Sequence, residues 1–321
     1  MKRVLVAGGG GFIGGWLVKN LMAMGNEVTA VDIKPLSEWN QVFTEAKNYS
    51  KDLSRLEHCL EVTEKIDEVY NLAADMGGMG FIENNKAACM LSVLINTHLL
   101  IASTKNSVSK YFFASSACVY NASKQSNSEV TALKESDAYP AMPEDGYGWE
   151  KLFSERMCQH FYEDYGLETR VARYHNVYGP LGTWQGGREK APAALCRKIA
   201  TAKLSGLSQI EIWGDGEQTR SFTFIDDCVR GTISLMESDY REPLNIGSSE
   251  LVSINQLVAI IENTAGVRLK PVYNLSAPKG VRGRNSDNSK VLETLGWEPK
   301  IPLHIGIHKT YEWIYSQVNK V

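Results

Sequence analysis

Tyr147 and Lys151 stand four residues apart in Tyr-Gly-Trp-Glu-Lys, a spacing that places a phenol and an ammonium on one face of a helix. A nearby cation lowers a phenol's pKa from about 10 and lets it serve as a base near neutral pH. Upstream, the stretch SSACVYN at residues 115–121 follows the aromatic run KYFF. Small hydroxyls and the thiol of Cys118 therefore lie where a buried strand should end. A thiol titrating near about 8.5 can present side-chain chemistry to a ligand as well as pack in a core. Lys190, in GGREKAPAALCRK, directly precedes a helical pattern. Each residue has a bland alternative: a surface Tyr/Lys pair, a packing cysteine, a solvated lysine.

A third group of residues would hold a cofactor. Gly8, Gly11 and Gly14 give G-x-x-G-x-x-G between an apolar strand, RVLVA, and a helix from about Phe12. Glycines there let the backbone approach a pyrophosphate at the helix N-terminus, where free N–H groups and the helix dipole favour negative charge. Asp32 ends the second strand, at the distance of an acid that hydrogen-bonds a ribose, and it would repel a 2′-phosphate. The expected cofactor is NAD rather than NADP, and beside a bound nicotinamide cation the Tyr147 phenol should be lower still.

Elements that can position these groups follow from the alternation of short apolar strands and helical patterns: RVLVAG, EVTAVDI, DEVYNLAA, a long helix over about 84–106, KYFFASSA, a helix from about Tyr147, and ETRVARYH. That order specifies a doubly wound, Rossmann-type parallel sheet with helices on both faces. Residues 1–175 are expected to form the cofactor domain and 176–321 a smaller C-terminal α/β substrate domain. The strand, GDG turn and strand of IEIWGDGEQTRSFTF should begin a return to the first sheet over about 215–246. Substrate would bind at the carboxyl ends of the strands.

The 321 residues carry 34 basic and 37 acidic side chains, a net charge of −3, which favours neither nucleic acid nor an anionic membrane. No apolar run is expected to reach the roughly 20 residues of a membrane span, and MKRVLVAGGGG reads as a first strand rather than a leader. The six cysteines are scattered, without CxxC or a histidine pair at ligand spacing. No metal is expected, and a reducing, cytoplasmic setting is.

Together the glycine site, Ser116, Tyr147 and Lys151 resemble the extended short-chain dehydrogenase/reductases over nearly the whole chain. The resemblance implies that Ser116, Tyr147 and Lys151 remove a sugar hydroxyl proton while NAD takes the hydride. It also implies that Phe12, Ile13, Asp52, Leu72 and Ala73 line the cofactor together with the glycines, Asp32, Tyr147 and Lys151. NLAADMGGMGFIENN, SSACVY, GREKAPAALCRK, GDGEQTRSFTFIDDCV and GVRGRNSDN are similar to the GDP-mannose 3,5-epimerases within that superfamily. This closer resemblance implies that Cys118 and Lys190 invert carbons 3 and 5 after oxidation at carbon 4, on a GDP-sugar, in a homodimer. It further implies substrate contacts from Gly77, Ser116, Asn176, Glu189, Lys190, Lys198 and Gln218, with Arg220 and Arg284 on the diphosphate. Gly77 is read as admitting the hexose close to the backbone. Asn121 and the NASKQSNSE segment depart from the pattern. The competing readings are a 4-epimerase, 4-reductase or 4,6-dehydratase, the last disfavoured by Ala117-Cys118 where an acidic residue belongs, and a dinucleotide sensor without catalysis.

Overall fold

A computed structural model describes residues 1–320. Its strands are β1 (Arg3–Ala7), β2 (Glu27–Asp32), β3 (Lys47–Ser50), β4 (Glu68–Asn71), β5 (Lys110–Ser116), β6 (Glu168–Tyr174), β7 (Val177–Tyr178), β8 (Gln209–Trp213), β9 (Thr219–Ser221), β10 (Thr223–Phe224), β11 (Leu244–Ile246), β12 (Leu251–Ser253), β13 (Lys270–Asn274) and β14 (Gly283–Arg284). The helices are α1 (Phe12–Ala23), α2 (Leu56–Val62), α3 (Met79–Asn84), α4 (Lys86–Leu91), α5 (Val93–Lys105), α6 (Tyr147–Tyr165), α7 (Ala191–Ser205), α8 (Ile225–Glu237), α9 (Ile254–Ala265), α10 (Ser289–Leu295) and α11 (Leu303–Val318).

Seven parallel strands form the main sheet in the order β11-β6-β5-β4-β1-β2-β3. The period-2 alternation of each strand feeds two cores. Val4, Val6 and Phe112 enter the core shared with Leu17, Val18 and Val229, on the side of α1 and α8. Leu5, Ala7, Tyr111 and Phe113 enter the other, with Leu99, Leu100 and Cys158 from α5 and α6. This is the doubly wound sheet expected. Its strand order reverses between β1 and β4, and the crevice at that switch point is where such sheets bind ligands.

The chain after β6 builds a smaller layer. Here α7, α9 and α11 pack together, β12, β9 and β14 make a mixed sheet, and β8 pairs only with β13. Gly214 (φ +80°) and Gly216 (φ +77°) form the expected tight turn, yet the strands it joins, β8 and β9, enter different sheets. The return to the first sheet comes through α8 and β11. Val321, the last residue of the expected second domain, lies outside the described residues.

One sequence expectation is corrected. The 20 residues Lys86–Lys105 are apolar enough to span a membrane, with a mean hydropathy of 1.6. In the fold this segment is divided at Ser92 into α4 and α5, and α5 packs on α2 and α6. Buried Asn96 accepts a hydrogen bond from Tyr111 at 2.8 Å, so α5 buries one face in the core with its polar group satisfied, while Met90, Leu91 and Leu94 stay exposed.

Candidate active site

The cofactor cradle is made by backbone rather than by side chains. Gly8 turns the chain out of β1 with φ +82°, and its N–H and that of Gly9 donate to the Val31 carbonyl at 2.7 and 3.0 Å. A Cβ on Gly14 would lie 2.0 Å from the Gly8 carbonyl oxygen, and one on Gly8 would lie 3.0 Å from the backbone of Leu72 and Ala73. Only glycine permits this approach of turn, helix and β4. No side chain caps α1 at Gly11, so the first-turn N–H groups of Phe12, Ile13 and Gly14 are left for an anion. Asp32, 9 % exposed, ends β2 and accepts the Lys34 N–H at 3.1 Å. Asp52 follows β3, and its hydrogen bonds from Ser54 hold its carboxyl below the usual range. The cradle that side chains would fill, together with an acid at each of two strand ends, fits NAD.

Two residues close over this cradle that the sequence reading missed. Trp39 occupies the space a Cβ on Gly10 would need, 2.6 Å away, and Lys34 Nζ donates to the Gly10 carbonyl at 3.0 Å. Gly10, the third glycine of GGGG, was the available signal.

Tyr147 and Lys151 share a face of α6 and are 5 % and 3 % exposed. Lys151 Nζ lies 5.5 Å from the centre of the Tyr147 ring and 4.6 Å from that of Phe113. The expected lowering of the phenol is not what dominates here. Burial pushes the Tyr147 phenol up, reinforced by Cys118 and Glu150, and the hydrogen bond with Ser116 is what opposes it. Lys151 stands over the ring face rather than at the hydroxyl, which explains its small effect. Ser116 Oγ also accepts the Cys118 N–H at 3.2 Å, which turns the chain sharply after β5.

A cavity of about 290 Å³ opens beyond these residues and is lined by Gly77, Ser116, Cys118, Tyr147, Asn176, Glu189, Lys190, Lys198, Gln218, Arg220 and Arg284. Every sequence-predicted substrate residue therefore reaches one space. Cys118 is 6 % exposed, and burial, aided by Glu144, pushes its thiol up to about 11. Lys190 stands at the N-terminus of α7, and burial holds its ammonium below the ordinary lysine value. Asn176 adopts φ +40°, a strained geometry that asparagine tolerates better than most residues, and its amide donates to the Ser221 carbonyl at 3.0 Å. Glu189 is engaged by Arg197 at 2.8 Å, and Lys198 by Glu211 at 2.8 Å.

Two expectations shift. Gly77 lines the cavity, but a Cβ there would meet Phe81 at 2.8 Å and the Arg188 backbone at 3.3 Å, and one on Gly78 would lie 2.5 Å from the Glu189 carbonyl. The MGGMG glycines thus make room for the chain's own Arg188–Lys190 segment. Arg284, expected on a diphosphate, lines the cavity and directs its guanidinium to Gln125, Cys118 and Glu144. Arg220 remains the arginine without a carboxylate, bonded to the carbonyls of Thr219, Lys279 and Val281, and burial lowers it to about 10. Glu144, Glu211 and Trp213 also line the cavity, and the sequence reading passed over them because each sits in a loop or strand that looks solvated.

Comparison with known proteins places this geometry. The model of the NAD dependent epimerase/dehydratase family matches residues 4–247. GDP-mannose 3,5-epimerase 1 of Oryza sativa subsp. indica is 48 % identical over 99 % of this chain and 83 % of its own length. GDP-mannose 3,5-epimerase of Arabidopsis thaliana is 46 % identical over the same shares. Among solved structures, UDP-glucose 4-epimerase of Thermotoga maritima, with UDP-glucose, superposes with a TM-score of 0.88 at 28 % identity, covering 98 % of this chain and 99 % of that one.

Proposed function

Because the chain belongs to the NAD-dependent epimerase/dehydratase family, we propose that it inverts carbons 3 and 5 of GDP-mannose through a transient 4-keto sugar. The product is GDP-L-galactose, accompanied by the singly inverted GDP-L-gulose. The observation that carries this reading is the meeting of Cys118 and Lys190 with Tyr147 in one cavity. A 4-epimerase needs no such additional acid/base pair.

Gly8, Gly11, Gly14, Asp32 and Asp52 would hold NAD, which would supply a hydride acceptor for carbon 4 that is regenerated within each turnover. Tyr147, beside Ser116 in the cavity, removes the carbon-4 hydroxyl proton, with Lys151 over its ring. The ketone acidifies both neighbouring C–H bonds, so a single oxidation serves two inversions. Cys118 and Lys190 exchange those protons with solvent, one giving as the other takes. Arg220, without a carboxylate partner, suits the diphosphate.

Homodimer formation and residence in the cytoplasm belong to the same proposal. Met90, Leu91, Leu94, Trp149 and Phe153 are exposed apolar residues on the neighbouring helices α4, α5 and α6, a patch a second copy would cover. All six cysteines are free, as a reducing compartment would keep them. The net charge of −3 supports neither a nucleic-acid nor a membrane partner.

The test is incubation with GDP-mannose in heavy water, read by NMR of the sugar protons. Deuterium at carbons 3 and 5 is expected. Protein that retains NAD yet incorporates none would overturn the proposal in favour of a 4-epimerase or a different nucleotide sugar.

A further inference from the structure

Cys118 does not face the cavity alone. Glu144, three residues before Tyr147, donates its backbone N–H to the Cys118 carbonyl at 2.9 Å, which fixes its side chain beside the thiol. Arg284 bridges the two: Nη1 donates to Cys118 Sγ at 3.6 Å, Nη2 to Glu144 Oε1, and Nε to Gln125 Oε1 at 2.6 Å. The Arg284 and Glu144 side chains are only 5 % and 11 % exposed. Glu144 Oε2 is buried without a hydrogen-bond partner, so Arg284 is the main compensation for this carboxylate. One guanidinium thus faces two groups that can each carry a negative charge.

We propose that Glu144 is a positioning residue that holds Arg284 against Cys118 and, by claiming most of its positive charge, keeps Cys118 as a protonated thiol. A buried cation shared between two acids stabilises the anion of each less than it would stabilise one alone. The other groups facing the thiol are Cys89 from α4, Ser116 and Tyr147 from β5 and α6, Lys190 at the start of α7, and Arg220 from β9. None of these is hydrogen-bonded to Arg284, so Glu144 is the group through which its charge is divided. Direction agrees with geometry: Glu144 raises the Cys118 thiol and Arg284 lowers it. The consequence for the reaction, which rests on the function proposed above, is that Cys118 meets the keto sugar as a proton donor unless Arg284 is released to it.

The test is the pH dependence of Cys118 alkylation by iodoacetamide in the NAD-loaded protein, followed on the Cys118 peptide by mass spectrometry. Cys118 lines the cavity; Cys89 packs in the same buried cluster and is told apart from it by its own peptide, as are the other four buried cysteines. Glu144→Gln, nearly isosteric, should move the alkylation midpoint down by about one pH unit, roughly tenfold more thiolate below the midpoint. Arg284→Gln should move it up. An unchanged midpoint in Glu144→Gln, or movement of both variants in one direction, overturns the proposal, and Arg284→Gln decides it if Glu144→Gln does not fold. The same variants are then compared for solvent exchange at the sugar carbons. A shifted alkylation midpoint with an unshifted exchange profile leaves Glu144 governing the thiol and removes Cys118 from the proton transfers, so failure of the functional reading is told apart from failure of this one.

Discussion

The cofactor cradle and the sugar cavity are built by opposite means. The cradle is local: Gly8, Gly11 and Gly14 lie within one turn and one helix start, and what matters is the side chains they lack. The cavity draws Cys118 from the end of β5, Tyr147 from α6, Lys190 from α7, Arg220 from β9 and Arg284 from β14. Its chemistry lives in side chains that meet only once both layers have packed. A site made of backbone is specified by spacing along the chain, whereas a site made of side chains is specified by the fold.

Substitutions sharpen this contrast. Tyr147 borders both regions, so Tyr147→Phe carries the largest expected effect, a loss on the order of 10³-fold in turnover with no reduced cofactor formed on adding substrate. Accumulation of reduced cofactor in that variant would remove Tyr147 from its role. Cys118→Ala should touch the cavity alone: the oxidation persists while deuterium exchange at the sugar carbons falls by roughly 10²-fold or more. Wild-type exchange would show that the thiol is a packing residue. Gly14→Ala should touch the cradle alone, because the new Cβ must clear the Gly8 carbonyl 2.0 Å away. Overpacking of that kind costs about 1–3 kcal/mol, or roughly ten- to hundredfold in NAD affinity by titration. An equal loss of cofactor in Cys118→Ala and Gly14→Ala would erase the division.

A smaller effect tests the layer joining the two. His175 follows β6, pairs through Nε2 with Asn245 at 3.0 Å, leaves Nδ1 unpartnered, and is held by burial down to about 3 from 6.5. The unfolded chain therefore takes up the proton first as pH falls. This contribution is complete above about pH 6.5 and drains as pH drops toward 3, by about 2 kcal/mol on reaching pH ~5. Urea melts across that interval should show the loss in the native protein and a flatter profile in His175→Gln.

The sheet, the cradle and the Tyr147/Lys151 face were legible because each depends on short-range periodicity or spacing. Cys118 and Lys190 were legible only through resemblance, since a lone thiol and a loop lysine carry no signal of meeting. Glu144 was not legible at all: in PEDGYG it looks like a solvated loop acid, and only the distant Arg284 gives it a buried partner. Gly77 was read as admitting the sugar, whereas the crowding of Gly77 and Gly78 against Arg188 and Glu189 was not legible, because that segment lies about a hundred residues further along. The break at Ser92 likewise depends on packing against α2 and α6 rather than on local composition.

The contact between the MGGMG loop and the segment before α7 also bears on traffic. Gly78 N–H donates to the Arg188 carbonyl at 3.0 Å, and Arg188 both stacks on Phe81, 3.8 Å from its ring centre, and pairs with Asp75 at 2.6 Å. Moving either segment away from the other means breaking these bonds. For a chemistry that must pass through a ketone and still return the hydride to the same carbon, a joined rim of this kind would favour retention of a half-finished sugar over its escape.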